Sequence, residues 1–232
     1  MADNFQRHDF SGRADLANAL AATIASALDE AIAASGQALL AVSGGTTPVV
    51  MFEALARAEI DWDHVTVTLV DERFVPPSSD RSNAKLVRER LLQGAAASAR
   101  FIPLYSPAPS VEEAASAADA ALNRLDLPFD VVVLGMGGDG HTASFFPDGA
   151  ELDKALDART QRRVVAVNAT SAGEPRLTLT LPPIVSARFI ALHIEGAEKA
   201  DVLAQALAKG STLPIRRVID ASETPVEIFW AP

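Results

Sequence analysis

The chain has 232 residues, 49% of them hydrophobic, and thirty acidic against twenty basic side chains give a net charge of −10. That length and apolar content suit one α/β domain over residues 1–232 with a large core, and the acidic balance is a poor footprint for nucleic acid or an anionic membrane. Cysteine is absent, which excludes disulfides, thiolate nucleophiles and cysteine zinc sites and fits a reducing compartment.

The N-terminal MADNFQRHDF has no apolar signal core, and no stretch approaches the roughly 18 to 20 uninterrupted apolar residues of a membrane span. A cytoplasmic protein without membrane partners is expected, with His8 in a mobile terminus. Residues 13–34 are Ala-rich with Leu and Ile at helical spacing and predict a helix. ALLAV from Ala38 predicts a strand that ends in Ser43, Gly44 and Gly45. Thr47 and Pro48 then supply an N-cap and a first-turn proline for an amphipathic helix over 48–59. Bare amides before a helix N-terminus attract anions.

After a surface-like turn holding His64, VTVTLV from Val65 predicts a second strand ending in Asp71, Glu72 and Arg73. These polar groups are costly if buried unpaired. Helical patterns follow at 82–93 and 111–125, separated by the Pro-rich loop YSPAPS at 105–110. DVVVLG from Asp130 is a buried strand leading into GMGGDGHT, residues 135–142. This stretch satisfies G-x-G-x-x-G, but a dinucleotide fingerprint needs its last glycine to open a long helix and the next strand to end in an acidic residue. Here Pro147 closes the segment and the next strand ends at Asn168. A nucleotide P-loop fails too, because neutral imidazole at His141 cannot replace a lysine charge. What remains is a flexible turn presenting Asp139 and His141 at a strand end.

RVVAVN from Arg163, LTLTL from Leu177, RFIALHI from Arg188 and VEIFW from Val226 read as further strands, with a helix over 197–208. The alternation implies a mostly parallel sheet flanked by helices. The link from LTLTL to RFIALHI is too short for a full crossover helix, so some antiparallel or mixed pairing is expected in the C-terminal half. In a parallel sheet the ends carrying Gly44, Asp71 and His141 converge on one edge, where open α/β sheets hold ligands. His8, His64 and His193 have no second reactive group nearby in sequence and read as structural. H-E-x-x-H spacing is absent and Asp139 with His141 supplies at most two ligands, so neither metal nor other cofactor is expected. Without a G-x-S-x-G elbow, the chemistry left is a water nucleophile with a histidine base.

Taken together, SGGTTP at Ser43, DERFVPPSSDRSN at Asp71, GMGGDGHTASFFP at Gly135, PRLTLTLP at Pro175 and GAEKADVL at Gly196 span nearly the whole chain. They resemble the 6-phosphogluconolactonase family related to glucosamine-6-phosphate deaminase. The resemblance implies a Rossmann-like parallel sheet. It also implies hydrolysis of 6-phospho-D-glucono-1,5-lactone to 6-phosphogluconate in the oxidative pentose phosphate pathway, without metal or nucleotide. It implies Arg73, Arg176 and Lys199 as a phosphate clamp assisted by the Gly44 and Gly45 amides. His141 would be the base, with Asp139 or Asp71 orienting it. Thr46 stands where the family usually has serine, which bears on one hydroxyl contact, and Phe145 where leucine is common. A small sugar phosphate lactone is the expected partner, and a monomer or small homo-oligomer the expected state. The alternatives are an isomerase or deaminase on the same fold, whose pattern has tyrosine where Arg73 stands, and a noncatalytic sugar-phosphate sensor. Such a sensor would carry a DNA-binding module, yet only about 37 residues precede the first clear strand, with no helix-turn-helix pattern.

Overall fold

The computed structural model describes residues 4–232. Its first half runs β1 (Phe5–Asp9), α1 (Arg13–Ser35), β2 (Ala38–Val42), α2 (Val49–Leu55), β3 (Val65–Leu69), β4 (Asp71–Arg73), α3 (Asn83–Arg90), β5 (Arg100–Ile102) and α4 (Val111–Leu122). The second half runs β6 (Val131–Leu134), α5 (Leu152–Ala155), β7 (Val164–Val167), β8 (Arg176–Leu179), α6 (Leu181–Val185), β9 (Phe189–Glu195), α7 (Ala197–Leu207), α8 (Pro214–Ala221) and β10 (Val226–Ala231).

Seven strands form one sheet in the order β1-β10-β9-β6-β2-β3-β5, with every neighbouring pair parallel. The strands β4, β8 and β7 form a separate antiparallel sheet. The two strands at the middle of the parallel sheet, ALLAV and VVVL, are buried along their whole length. Both faces are covered there, so these strands read as continuous apolar runs instead of alternating ones. In α1 the buried Leu16, Leu20, Ile24 and Leu28 recur every fourth residue and make one stripe. The helix stops where Gly36, at φ 80°, donates its N–H to Ile32 O at 2.8 Å. By length and composition α1 is apolar enough to cross a membrane, but its stripe is buried in the core cluster that covers the sheet.

Several sequence expectations need correction. Of the terminus expected to be mobile, residues 1–3 lie outside the described part, while Phe5–Asp9 is an edge strand paired with β10. His8 is therefore held, with Nε2 2.6 Å from Glu227 Oε2, and Ala38 does not begin the first strand. Pro48, not Thr47, occupies the N-cap position of α2, and no side chain caps that helix. Asp71 to Arg73 is a strand of its own. The C-terminal run does contain antiparallel pairing, but not between its own two strands. LTLTL supplies β8, which pairs with β4 and β7, whereas the next strand returns to the parallel sheet as β9. The short helix α6 carries the chain between the sheets, so no crossover within one sheet is needed. RVVAVN likewise belongs to the small sheet.

Candidate active site

Strands after β2 wind to one side, through β3 and β5, and those after β6 to the other, so the sheet reverses direction between β2 and β6. Such a reversal opens a crevice at the carboxyl ends of the strands. A cavity of about 380 Å³ lies there, lined by Gly44, Gly45 and Thr46 after β2, by Gly137 and His141 after β6, and by Asp71, Arg73, Arg176 and Lys199. Ser43 Oγ joins the two glycine loops by accepting from Gly135 N–H at 3.3 Å. Gly44 has no room for a side chain, since a Cβ would lie 1.9 Å from Asn83 Oδ1. Asn83 is fixed in turn by donating Nδ2 to Asp71 O at 2.9 Å.

The loop after β6 closes on itself. Gly137 N–H donates to His141 O at 2.8 Å, and Gly140 N–H to Gly137 O at 3.1 Å, with Gly140 at φ 75°. Asp139 Oδ1 accepts from His141 N–H at 3.1 Å and lies 2.5 Å from His141 Nδ1. A carboxylate can only accept, so the ring proton is assigned to Nδ1 and the lone pair to Nε2. The imidazole rests on Phe146 with centroids 4.4 Å apart. A Cβ on Gly137 would come within 2.1 Å of His141 Cε1 and 2.7 Å of Asp139 Oδ1. The middle glycine of the G-x-G-x-x-G pattern thus makes room for an Asp–His pair, not for a pyrophosphate. Ala143, at φ 49°, holds a left-handed conformation that costs a non-glycine residue about 1–3 kcal/mol. On either side of it Thr142 Oγ1 donates to Gly135 O at 2.8 Å and Ser144 N–H to Thr178 Oγ1 at 3.2 Å.

Asp71 is buried, and its Oδ2 accepts from Ser144 Oγ at 2.6 Å. Asn83 Nδ2 is 3.4 Å from Oδ1, and Arg176 Nη1 is 3.9 Å from Oδ2. Of the two carboxylates expected to orient His141, the one in contact with it is Asp139. Glu72 points elsewhere and takes the N–H groups of Arg73, Asn83 and Ala84 at 2.8, 2.7 and 2.7 Å, together with Ser82 Oγ at 3.1 Å. Burial pushes its carboxyl up and those donors oppose the shift. It caps α3 from a neighbouring strand.

Arg73 and Arg176 stand directly opposite each other in the β4–β8 pair, an arrangement that is unfavourable for like charges. Their side chains donate to backbone: Arg73 Nη1 to Arg81 O at 2.6 Å, and Arg176 Nη2 to Ala172 O at 2.9 Å. The Nε of each is buried without a partner among the described residues. Burial pulls the Arg176 guanidinium below its ordinary value; Asp71 opposes this and Arg73 adds to it. One buried and one partly buried cation with unspent donors favour a multiply charged anion between them. Lys199, in the first turn of α7, reaches the histidine loop, where a Cβ on Gly138 would lie 3.7 Å from its Nζ.

Two of the lining residues that the sequence did not single out are Arg81 and His193. Arg81 borders the cavity although it comes from the loop before α3, and the only sequence signal was its place in DERFVPPSSDRSN. His193, read as structural, also borders the cavity. It is 2% exposed, its Nδ1 has no partner among the described residues, and its Nε2 lies 3.3 Å from Glu195 Oε1. Burial pushes its pKa down to about 4. Among the described residues no three His, Asp or Glu side chains gather to hold a metal ion.

Residues 11–230 match the family model described as glucosamine-6-phosphate isomerases/6-phosphogluconolactonase. A protein named 6-phosphogluconolactonase from Mesorhizobium japonicum is 59% identical over 96% of this chain and 94% of its own. Another of that name from Rhizobium meliloti is 53% identical over 97% and 98%. The crystal structure of a 6-phosphogluconolactonase from Shewanella baltica OS155 matches with a TM-score of 0.95 at 44% identity, covering 98% of each chain.

Proposed function

The chain belongs to the glucosamine-6-phosphate isomerase/6-phosphogluconolactonase family and hydrolyses 6-phosphogluconolactone in the pentose phosphate pathway, and we propose that His141 is its general base. With Nδ1–H held by Asp139, Nε2 takes a proton from a water as the water oxygen bonds to the lactone carbonyl carbon. The tetrahedral adduct then collapses, the bond from that carbon to the ring oxygen breaks, and the imidazolium returns the proton to the departing oxygen. The products are the open hydroxyl and the carboxylic acid of 6-phosphogluconate. Asp139 orients the ring and stabilises its charged form. Asp71 holds Ser144 and Arg176 in place and acts on the site through them.

The observation that carries this reading is that His141, held by Asp139, shares one cavity with the facing Arg73 and Arg176. The phosphate lies at the far end of the substrate from the reacting carbon, so Arg73, Arg176, Lys199 and the Gly44 and Gly45 amides hold the lactone in register with the water. Thr46 offers its hydroxyl at the same rim. The working unit is one domain over residues 1–232, acting in the cytoplasm as a monomer or small homo-oligomer. A single sheet that uses strands from both chain ends supports the first part, and a cysteine-free chain fits the second.

The test is turnover of freshly prepared 6-phosphogluconolactone beside unphosphorylated glucono-1,5-lactone, each corrected for spontaneous hydrolysis. The phosphorylated lactone is expected to react with far higher kcat/KM, and equal values would remove the phosphate site. The proposed mechanism needs no metal, so exhaustive chelation should leave both rates unchanged. Loss of activity restored by one added metal would contradict it.

A further inference from the structure

Arg81 is mostly exposed along its side chain yet borders the cavity. Its Nε and Nη2 both donate to a single oxygen, Glu174 Oε1, at 3.1 and 2.8 Å. That same oxygen lies 3.6 Å from Arg176 Nη2, so one carboxylate oxygen serves two guanidinium groups. The backbone of residue 81 is anchored separately, because its carbonyl accepts from Arg73 Nη1 at 2.6 Å. The next residues are anchored as well, through Ser82 Oγ and Asn83 N–H on Glu72. Only the arginine side chain is therefore free to change partner. Glu174 stands just before β8, beside the strand that carries Arg176.

We propose that Arg81 is a specificity-determining third guanidinium of the phosphate clamp, and that Glu174 is the anion which the substrate's phosphate displaces from it. The proposal rests on the reading of Arg73 and Arg176 as the phosphate site. An ion pair whose arginine is mostly solvent-exposed contributes modestly, whereas a phosphate group brings up to two negative charges and three acceptor oxygens suited to guanidinium forks. Exchanging one partner for the other is therefore favourable. The electrostatics agree, since Glu174 and Arg81 both act on the desolvated Arg176, in opposite directions.

The competing account makes Arg81–Glu174 a plain strut between the loop and β8, and the two accounts differ in sign. Inorganic phosphate serves as the probe, measured as a competitive inhibitor of 6-phosphogluconolactone turnover by the full chain, with thermal melting to verify folding. Arg81→Ala should raise the phosphate Ki and the substrate KM roughly tenfold while kcat changes little. Arg81→Lys should recover part of that loss. Glu174→Gln should move the other way and lower the phosphate Ki about two- to fivefold, because the competing carboxylate is gone. A strut would make both substitutions shift Ki in one direction or not at all, and either result overturns the proposal. Arg176→Ala separates the two levels. If it leaves the phosphate Ki unchanged, the phosphate site itself is misassigned and Arg81 falls with it; if it raises Ki while Arg81→Ala and Glu174→Gln shift together, only the present inference falls.

Discussion

His141 projects from a loop instead of the core, so replacing it should affect chemistry far more than folding. His141→Ala is expected to lower kcat by about 10²- to 10⁴-fold with little change in melting temperature. A folded variant that keeps wild-type kcat would end the assignment. Gly137→Ala should act like a milder version of the same change. The added methyl would sit 2.1 Å from His141 Cε1, so the ring must leave Asp139, and kcat should drop at least tenfold at unchanged stability. Normal turnover by Gly137→Ala would mean that the Asp139 contact is dispensable. At this scale much of the candidate site was legible, since the glycine turn, the strand ends and the resemblance together pointed to His141. The sequence left Asp139 and Asp71 open as orienting groups because the bond that occupies Asp71 is not local. Asp71 is taken by Ser144, 73 positions away along the chain, and no spacing rule reports such a bond.

Among the elements, α3 depends on a partner outside itself. Glu72 satisfies the Asn83 and Ala84 N–H groups at its start, donors that a helix leaves unpaired. Glu72→Ala removes every one of these acceptors from a buried position and should cost about 1–3 kcal/mol in urea unfolding. An unchanged midpoint would show that the helix start is satisfied some other way. The facing arginines make a second prediction at this scale. Arg176→Ala should lower kcat/KM for the phosphorylated lactone roughly 10- to 150-fold and leave unphosphorylated lactone turnover as poor as in the wild type. If the preference for phosphate survives, the phosphate is held elsewhere. Long elements were legible because periodicity accumulates over several turns, as in α1, α4 and α7. The strands β4 and β5 have three residues each, too few to display a period. β1, reading FQRHD, is an edge strand with polar side chains, so it lacked the apolar run that reveals a strand. α8 places Ile215, Val218 and Ile219 on one apolar side, but it is only two turns long, so the period does not accumulate.

At the scale of the whole molecule, a net charge of −10 does not oppose binding of a phosphate. Charges beyond about 8 Å are largely screened at physiological salt, and the arginines lining the cavity dominate. Global stability instead carries the mark of His193, deep in β9 near the middle of the sheet. Burial pushes its pKa from the ordinary 6.5 down to about 4, and the adjacent Glu195 carboxyl is itself pushed up by burial, with Arg13 opposing. Between those two pH values the unfolded chain binds a proton that the folded chain refuses. Stability therefore rises with pH across the window. The contribution is complete above about pH 6.5 and is lost as the pH falls towards 4, amounting to about 3 kcal/mol at most. Other carboxylates titrate in the same range, so the wild-type curve alone is not diagnostic. The comparison is with His193→Gln, which keeps a polar group near Glu195 but cannot take the proton. Urea unfolding at pH 7, 5.5 and 4.5 should show the variant less stable at neutral pH, where the native packing is disturbed, yet losing less on acidification. The two stability curves should converge as the pH falls, and parallel curves would mean that His193 accepts a proton in the folded protein as readily as in the unfolded chain.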